Sequence, residues 1–129
     1  MSLTIAEILE TISDEKALAL FETIALAQAN GDILITKMQL TRKQYYSRMS
    51  RLTKSGLVKR RNGRYALTSF GKVIYDIQLT IKKVVNNYYW KLKAVDSFEV
   101  GLSKEEHNKA LDALIDNGKM KEVILAKIC

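Results

Sequence analysis

The sequence predicts a mainly α fold with a single small β-hairpin, the hairpin leading into a long helix and a helical C-terminal extension. Three observations predict it. The 129 residues include no proline, so only six glycines punctuate the helical periodicities. One glycine stands in Asn62-Gly63, between two short runs that accept strand; this is the two-residue hairpin signal, because both central positions of a type I′ turn require positive φ. From Lys72 to about Phe98 no breaker occurs, and apolar residues recur at alternating steps of four and three.

In chain order, "TIAEILETI" places Ile5, Ile8, Leu9 and Ile12 on one helical face, and Thr4 with Glu7 has capping-box spacing, which predicts a short first helix. "SDEKALALFETIALAQANG" resumes the period with Ala17, Leu20, Phe21 and Ile24. Its acidic residues fall in the first turn, where the helix dipole favours them, and Asn30-Gly31 reads as its stop. "DILITKMQ" accepts a strand through β-branched Ile33, Ile35 and Thr36, or a short helix capped by Asp32; the short helix is the reading adopted.

Thr41 and Gln44 form a second capping-box pair, opening a helix over 41–55. Tyr45, Met49 and Leu52 keep one side of it apolar together with Leu40 just before it, and Gly56 supplies the C′ position. The opposite side shows Arg42, Lys43, Gln44, Tyr46, Ser47, Ser50, Arg51 and Lys54. Tyr45 and Tyr46 are adjacent and cannot both face the core, and Tyr45 is expected to be the buried one. Across a two-residue turn the hairpin over 58–67 sets Arg61 opposite Arg64, Arg60 opposite Tyr65 and Val58 opposite Leu67.

Phe70, Ile74, Ile77, Ile81, Val84 and Tyr88, resumed at Val95 and Phe98, form a coiled-coil-like seam. At 1.5 Å per residue a helix from Lys72 to Phe98 is roughly 40 Å long, more than one small domain covers. Hence a domain at 1–71 and a helical dimerisation extension at 72–129 are expected, with Ile74, Ile77, Ile81, Val84, Tyr88, Trp90 and Val95 at the interface. Ser103 with Glu106 caps a further helix through Ile115, Asn117-Gly118 closes it, and "KMKEVILAKIC" adds a last short one.

The net charge of +7 is unevenly distributed. Residues 1–32 carry six acids against Lys16 alone, 33–72 carry eleven bases and no acid, and 73–129 are nearly balanced. A bias confined to one window speaks of a partner rather than of solubility. In "TRKQYYSRMSRLTKSGLVKRRNGRY", Thr41 to Tyr65, nine of twenty-five residues are Lys or Arg. An α-helix fits the major groove of DNA. Lys and Arg there donate to guanine, Gln pairs with adenine, and Ser and Tyr bond bases or phosphates. At the hairpin tip, Arg61 opposite Arg64 is a like-charge pair that is unfavourable unless an anion lies against it.

Three helices, the third with a basic polar face, followed at once by a two-stranded wing, is the order of a winged helix-turn-helix. "LTRKQYYSRMSRLTKSGLVKRRNGRYALTSFGK", Leu40 to Lys72, resembles the recognition helix and wing of a group of small archaeal winged-helix transcriptional regulators. It is similar more loosely to bacterial regulators that read "LS…S…L..L…GLV.R….R…LT..G". The resemblance implies that Thr41 begins the recognition helix, that Met49 and Leu52 hold it to the core, and that the Arg60 to Arg64 loop is the wing. The expected function is sequence-specific binding of double-stranded DNA in transcriptional regulation by a cytoplasmic homodimer. Its DNA-binding residues would be Thr41, Arg42, Lys43, Gln44, Tyr46, Ser47, Arg48, Arg51, Lys59, Arg60, Arg61, Asn62 and Arg64. The alternative is a winged helix serving as a protein- or RNA-interaction module in a larger transcription assembly.

Other chemistries find little support. One histidine, His107, and one cysteine, Cys129, cannot assemble a metal site from imidazole and thiolate, and no intrachain disulfide is available. Glu105 and Glu106 point about 100° apart on a helix, and no phosphate loop or nucleophile-base pair is present, so neither enzyme activity nor a cofactor is expected. No apolar run is long enough for a bilayer, and the apolar side of the basic helix is needed by the core, which speaks against a membrane. In "NNYYWKL", Tyr88, Tyr89 and Trp90 suit either an interface or a pocket for a small-molecule effector.

Overall fold

The computed structural model describes residues 3–27, 30–98, 101 and 103–126. The order is α1 (Ile5–Thr11), α2 (Glu15–Leu26), α3 (Gly31–Met38), α4 (Arg42–Lys54), β1 (Val58–Arg61), β2 (Arg64–Leu67), α5 (Ser69–Lys83), a π-helical turn (Val84–Tyr88), α6 (Tyr89–Ser97), α7 (Lys104–Leu114) and α8 (Gly118–Leu125). These form two compact units, residues 1–78 and 79–129. The division falls inside α5 and not at residue 72. Its first turns belong with the N-terminal unit because Ile74 and Tyr75 pack on that core, and Gln78 Nε2 donates to Glu22 Oε1 on α2 at 3.1 Å.

In the N-terminal unit the apolar faces of α2, α3 and α4 converge with the hairpin. Leu20, Phe21, Leu34, Tyr45, Leu52 and Leu57 are shielded from solvent, and Met49, Val58 and Leu67 complete the cluster. Each such side chain contributes roughly 1.5–3 kcal/mol by burial. Tyr45 is inside and Tyr46 outside, as their positions around α4 require. The Tyr45 hydroxyl has no hydrogen-bond partner among the described residues, and burial foremost, with Tyr65 beside it, pushes the phenol well above its ordinary range.

"DILITKMQ" is helical, with Gln39 in the left-handed conformation at its C-cap. Asn30-Gly31 starts this helix and does not stop the one before it: α2 ends at Leu26, and Asn30 Oδ1 accepts from Ile33 N–H at 3.0 Å as the N-cap. Asp32 therefore lies inside the first turn and is not the cap. Asn117-Gly118 behaves alike, starting α8 with Asn117 as N-cap. Asn62-Gly63 alone forms the type I′ turn, with φ of 53° and 76°.

α4 ends as its glycine predicts. Gly56 has φ of 81°, its N–H donates to Thr53 O, and Leu57 N–H donates to Leu52 O, closing a Schellman motif. The hairpin register is Val58↔Leu67, Lys59↔Ala66, Arg60↔Tyr65 and Arg61↔Arg64. α5 begins at Ser69, three residues before the expected start, because Thr68 joins the two elements. Its N–H donates to Leu57 O, its hydroxyl donates to Gly56 O, and Gly71 N–H donates to the same hydroxyl. Gly71 is thus a contact point within the first turn rather than a breaker.

The expected unbroken helix from Lys72 to Phe98 is interrupted by the π turn at 84–88, whose wider turn breaks the regular α-helical ladder. Tyr88 and Val95, expected at a dimer interface, lie instead in the core of the second unit with Leu111 and Ile115. Tyr88, at the end of the π turn, and Val95, on α6, are covered by α7 and the residue after it in the same chain. The Tyr88 hydroxyl donates to Asp116 Oδ1, which raises the phenol pKa and holds the Asp116 carboxyl below the ordinary carboxylate value. No helix among the described residues is long and apolar enough to cross a membrane. Cys129 and the end of the last segment lie outside the described residues.

Candidate nucleic-acid interface

The basic helix is capped at both levels of its box. Gln44 N–H donates to Thr41 Oγ1, and Thr41 N–H donates to Gln44 Oε1, each at 3.1 Å. Lys16 Nζ also approaches Gln44 Oε1, at 3.5 Å. Gln44 is consequently half-buried, with its carbonyl oxygen turned back onto its own helix start.

Two arginines on the same flank are engaged within the fold. Arg48 Nε donates to Asp14 Oδ2 at 3.0 Å, and its Nη1 donates to the Gln44 carbonyl at 3.3 Å. Arg51 Nη2 donates to the Glu10 carbonyl at 3.4 Å and lies 4.0 Å from the Glu10 carboxylate. Asp14 meanwhile caps α2 through Lys16 and Ala17 N–H. Desolvation raises its carboxyl pKa, but the two N–H donors and the Arg48 guanidinium outweigh this and hold it below the ordinary 3.8. Gln44, Arg48 and Arg51 therefore form a seam binding α4 to α1 and α2.

The face that looks away from the core is different. Arg42, Lys43, Tyr46, Ser47, Ser50 and Lys54 are exposed along it, with Tyr46 braced edge-on against Tyr45 at 5.3 Å. No ion pair involves any of its cations among the described residues. Ser50 and Lys54, absent from the expected contact set, stand near the middle of this face. The helical step already sets them on the side opposite Leu52, so their exposure follows from the sequence pattern although they were not among the expected contacts.

Strand alternation divides the wing. Paired residues share a face, so Val58, Arg60, Tyr65 and Leu67 lie on one side and Lys59, Arg61, Arg64 and Ala66 on the other. Val58 and Leu67 anchor the first side in the core, and Arg60 lies over the Tyr65 ring at 5.9 Å, a cation-π contact. Asn62 and the four flanking basic residues are all exposed. Thus the expected contact residues fall into three groups: an open helix face, an internally tied flank, and a two-sided basic hairpin.

Of the expected interface residues, Ile77 and Ile81 are 51% and 54% exposed, Trp90 is 77% exposed, and Val84 is half-buried. Ile74 is half-buried against the N-terminal core. Trp90 stacks edge-on with Tyr89 at 5.3 Å, with Lys93 over both rings. His107 is half-buried, and no group of three His, Cys, Asp or Glu able to hold a metal occurs among the described residues.

This architecture, helices with a two-stranded antiparallel wing after the fourth, is a winged helix-turn-helix. The solved homodimeric winged helix-turn-helix DNA-binding domain, fragment 1–100, of a possible ArsR-family transcriptional regulator from Mycobacterium bovis has the same fold. It superposes with a TM-score of 0.54 at 13% identity, over 66% of this chain and 84% of that one. An ArsR-like transcriptional regulator from a Rhodococcus species matches at a TM-score of 0.49 and 19% identity, over 75% of this chain and 93% of that one. No protein-family model and no curated protein matches the sequence.

Proposed function

We propose that this chain is a sequence-specific double-stranded DNA-binding transcriptional regulator that acts as a homodimer. The observation that carries the reading is the open face of α4, where Arg42, Lys43, Tyr46, Ser47, Ser50 and Lys54 stand exposed and without carboxylate partners among the described residues. The recognition helix, 41–55, enters the major groove with its N-terminal half against base edges, and the wing, 58–67, lies on phosphate and the minor groove. Arg60 serves the side nearer α4, while Arg61 and Arg64, mutually repelling across the turn, take a phosphate between them. Thr41 and Gln44 shape the start of the helix, and Arg48 and Arg51 set its angle on α1 and α2. The solved Mycobacterium bovis domain is homodimeric and DNA-binding by its description, which agrees with this reading. The archaeal affinity rests on the Leu40 to Lys72 resemblance.

Selection of bound duplexes from a random pool tests the proposal directly. A recovered motif with two-fold symmetry is the expected result, and recovery of no preferred sequence would refute specific readout. One observation favours the rival, an interaction module for protein or RNA: Gln44, Arg48 and Arg51 are committed to contacts within the fold. Titration with salt separates the two. Duplex affinity that falls by several decades per decade of salt supports the DNA reading, whereas single-stranded RNA bound more tightly than duplex supports the module.

A further inference from the structure

The outer face of the wing lines a cleft. Lys59, Arg61 and Ala66 of the hairpin, Ile24 to Ala27 at the end of α2, and Lys72 and Tyr75 of α5 enclose about 410 Å³. That volume is within the range of small-molecule sites. The apolar floor left open is Leu26, which is 78% exposed, with half-buried Ala25, Ala66 and Tyr75; the Tyr75 ring is held edge-on to Phe21 at 5.9 Å, and Ile24 and Leu67 are buried beneath them. The walls bring three cations together, Lys59, Arg61 and Lys72, with no acidic residue in the lining. None of the three is in an ion pair among the described residues. Converging like charges raise one another's energy until a counter-charge joins them. Contact with DNA accounts for the charge of Lys59 and Arg61, but not for the apolar floor beneath them or for Lys72 on a different element.

We propose that this cleft binds a small organic anion with an apolar, flat body and a carboxylate. The body lies on Leu26 and Tyr75, with Ala25 and Ala66 leaving room beside it, and the carboxylate sits among Lys59, Arg61 and Lys72. A bare inorganic anion gains only exposed ion pairs, which are weak in water. The apolar body supplies burial that such an ion lacks. Occupation draws Lys59 and Arg61 to the cleft side of the hairpin, so that ligand and duplex compete for the same two cations, each weakening the other by the same factor. This second step rests on the DNA-binding role proposed above; the site itself does not.

The test uses the full chain and 2-naphthoate as the probe, followed by NMR, with 2-naphthylmethanol as the uncharged analogue and inorganic phosphate as the anion without a body. Saturable shifts around Ile24, Ala66, Lys72 and Tyr75 are expected for naphthoate alone. Affinity should drop about fivefold in Lys72→Gln, an exposed position whose change leaves the fold intact. Equal binding of the alcohol or of phosphate, shifts centred elsewhere, or no shifts overturn the site. Saturating naphthoate should then weaken duplex binding by roughly three- to tenfold, the loss of about one phosphate contact. Unchanged duplex affinity with the cleft filled overturns the competition. Failure of the protein to bind duplex even without naphthoate overturns both the DNA-binding role and the competition, while the NMR titration still decides the site.

Discussion

Gly71 shows how much one missing side chain can decide. A Cβ at this position would overlap the carbonyl oxygen of Leu57, and that oxygen cannot retreat because Thr68 N–H is bonded to it. Gly71→Ala is therefore expected to destabilise by about 1–3 kcal/mol or more, despite alanine's better helix propensity, and urea unfolding measures it. At Gln44 two roles separate. Its side chain closes the capping box, so Gln44→Ala should lower stability by about 1 kcal/mol while leaving the preferred DNA sequence unchanged. Lys43, exposed one position earlier, should behave in the opposite way. Lys43→Ala should keep stability and lose roughly 1–3 kcal/mol of discrimination at one base pair. Binding to a panel of single-base operator variants, alongside melting curves, reads both. A sequence preference that shifted with Gln44→Ala would mean that its amide leaves the cap to read a base.

Between elements, the junction of α2 and α4 depends on Asp14, which caps one helix and holds Arg48 of the other. Its folded-state carboxyl sits below the ordinary 3.8, so the stability it adds is present above that value and is lost as pH falls through the lower one. Asp14→Ala should cost about 1 kcal/mol at pH 7, and the gap to the parent should narrow below pH 3.8. Urea melts at pH 7 and at pH 3 check this, and a gap that stayed constant would deny the carboxylate its role. A contact spanning 34 residues leaves no periodic trace, which is why Arg48 reads from sequence as a free basic residue. The capping box at Thr41 and the turn at Asn62-Gly63 were legible because their determinants are local. Asn30-Gly31 and Asn117-Gly118 were not, since Asn serves as helix N-cap as readily as Gly ends a helix, and only the residues after them decide. The π turn escaped for a related reason: its surrounding apolar steps of three and four suit an ordinary helix equally well. The seam's periodicity was real, yet periodicity does not say which chain covers it. Tyr88 and Val95 are covered by their own.

For the whole molecule, charge and exposed apolar surface make separate predictions. The open face of α4 and the wing together offer Arg42, Lys43, Lys54, Lys59, Arg60, Arg61 and Arg64. If all reached phosphate, duplex affinity would fall with a log-log salt slope of about −6 per protomer, and base contacts by some of them reduce it. Arg61→Ala with Arg64→Ala should shallow that slope by roughly two and weaken all duplexes alike. The proposed dimer would draw on the apolar surface instead. Ile77 and Ile81 lie one turn apart on α5 and are each about half exposed, so neither is needed by the core of its own unit. Apolar side chains so placed suit an isologous contact with a second copy. The proposed dimer should therefore sediment as such at micromolar concentration, and Ile77→Asp with Ile81→Asp should give monomers that keep the parent's helical content. Because a two-fold dimer presents two recognition helices roughly 34 Å apart, those monomers should still bind a single half-site weakly but lose the gain from joining two. A parent chain that sediments as a monomer refutes the interface. A double variant that stays dimeric moves it away from α5, to other apolar residues such as Ile5 or Trp90, both more than three-quarters exposed.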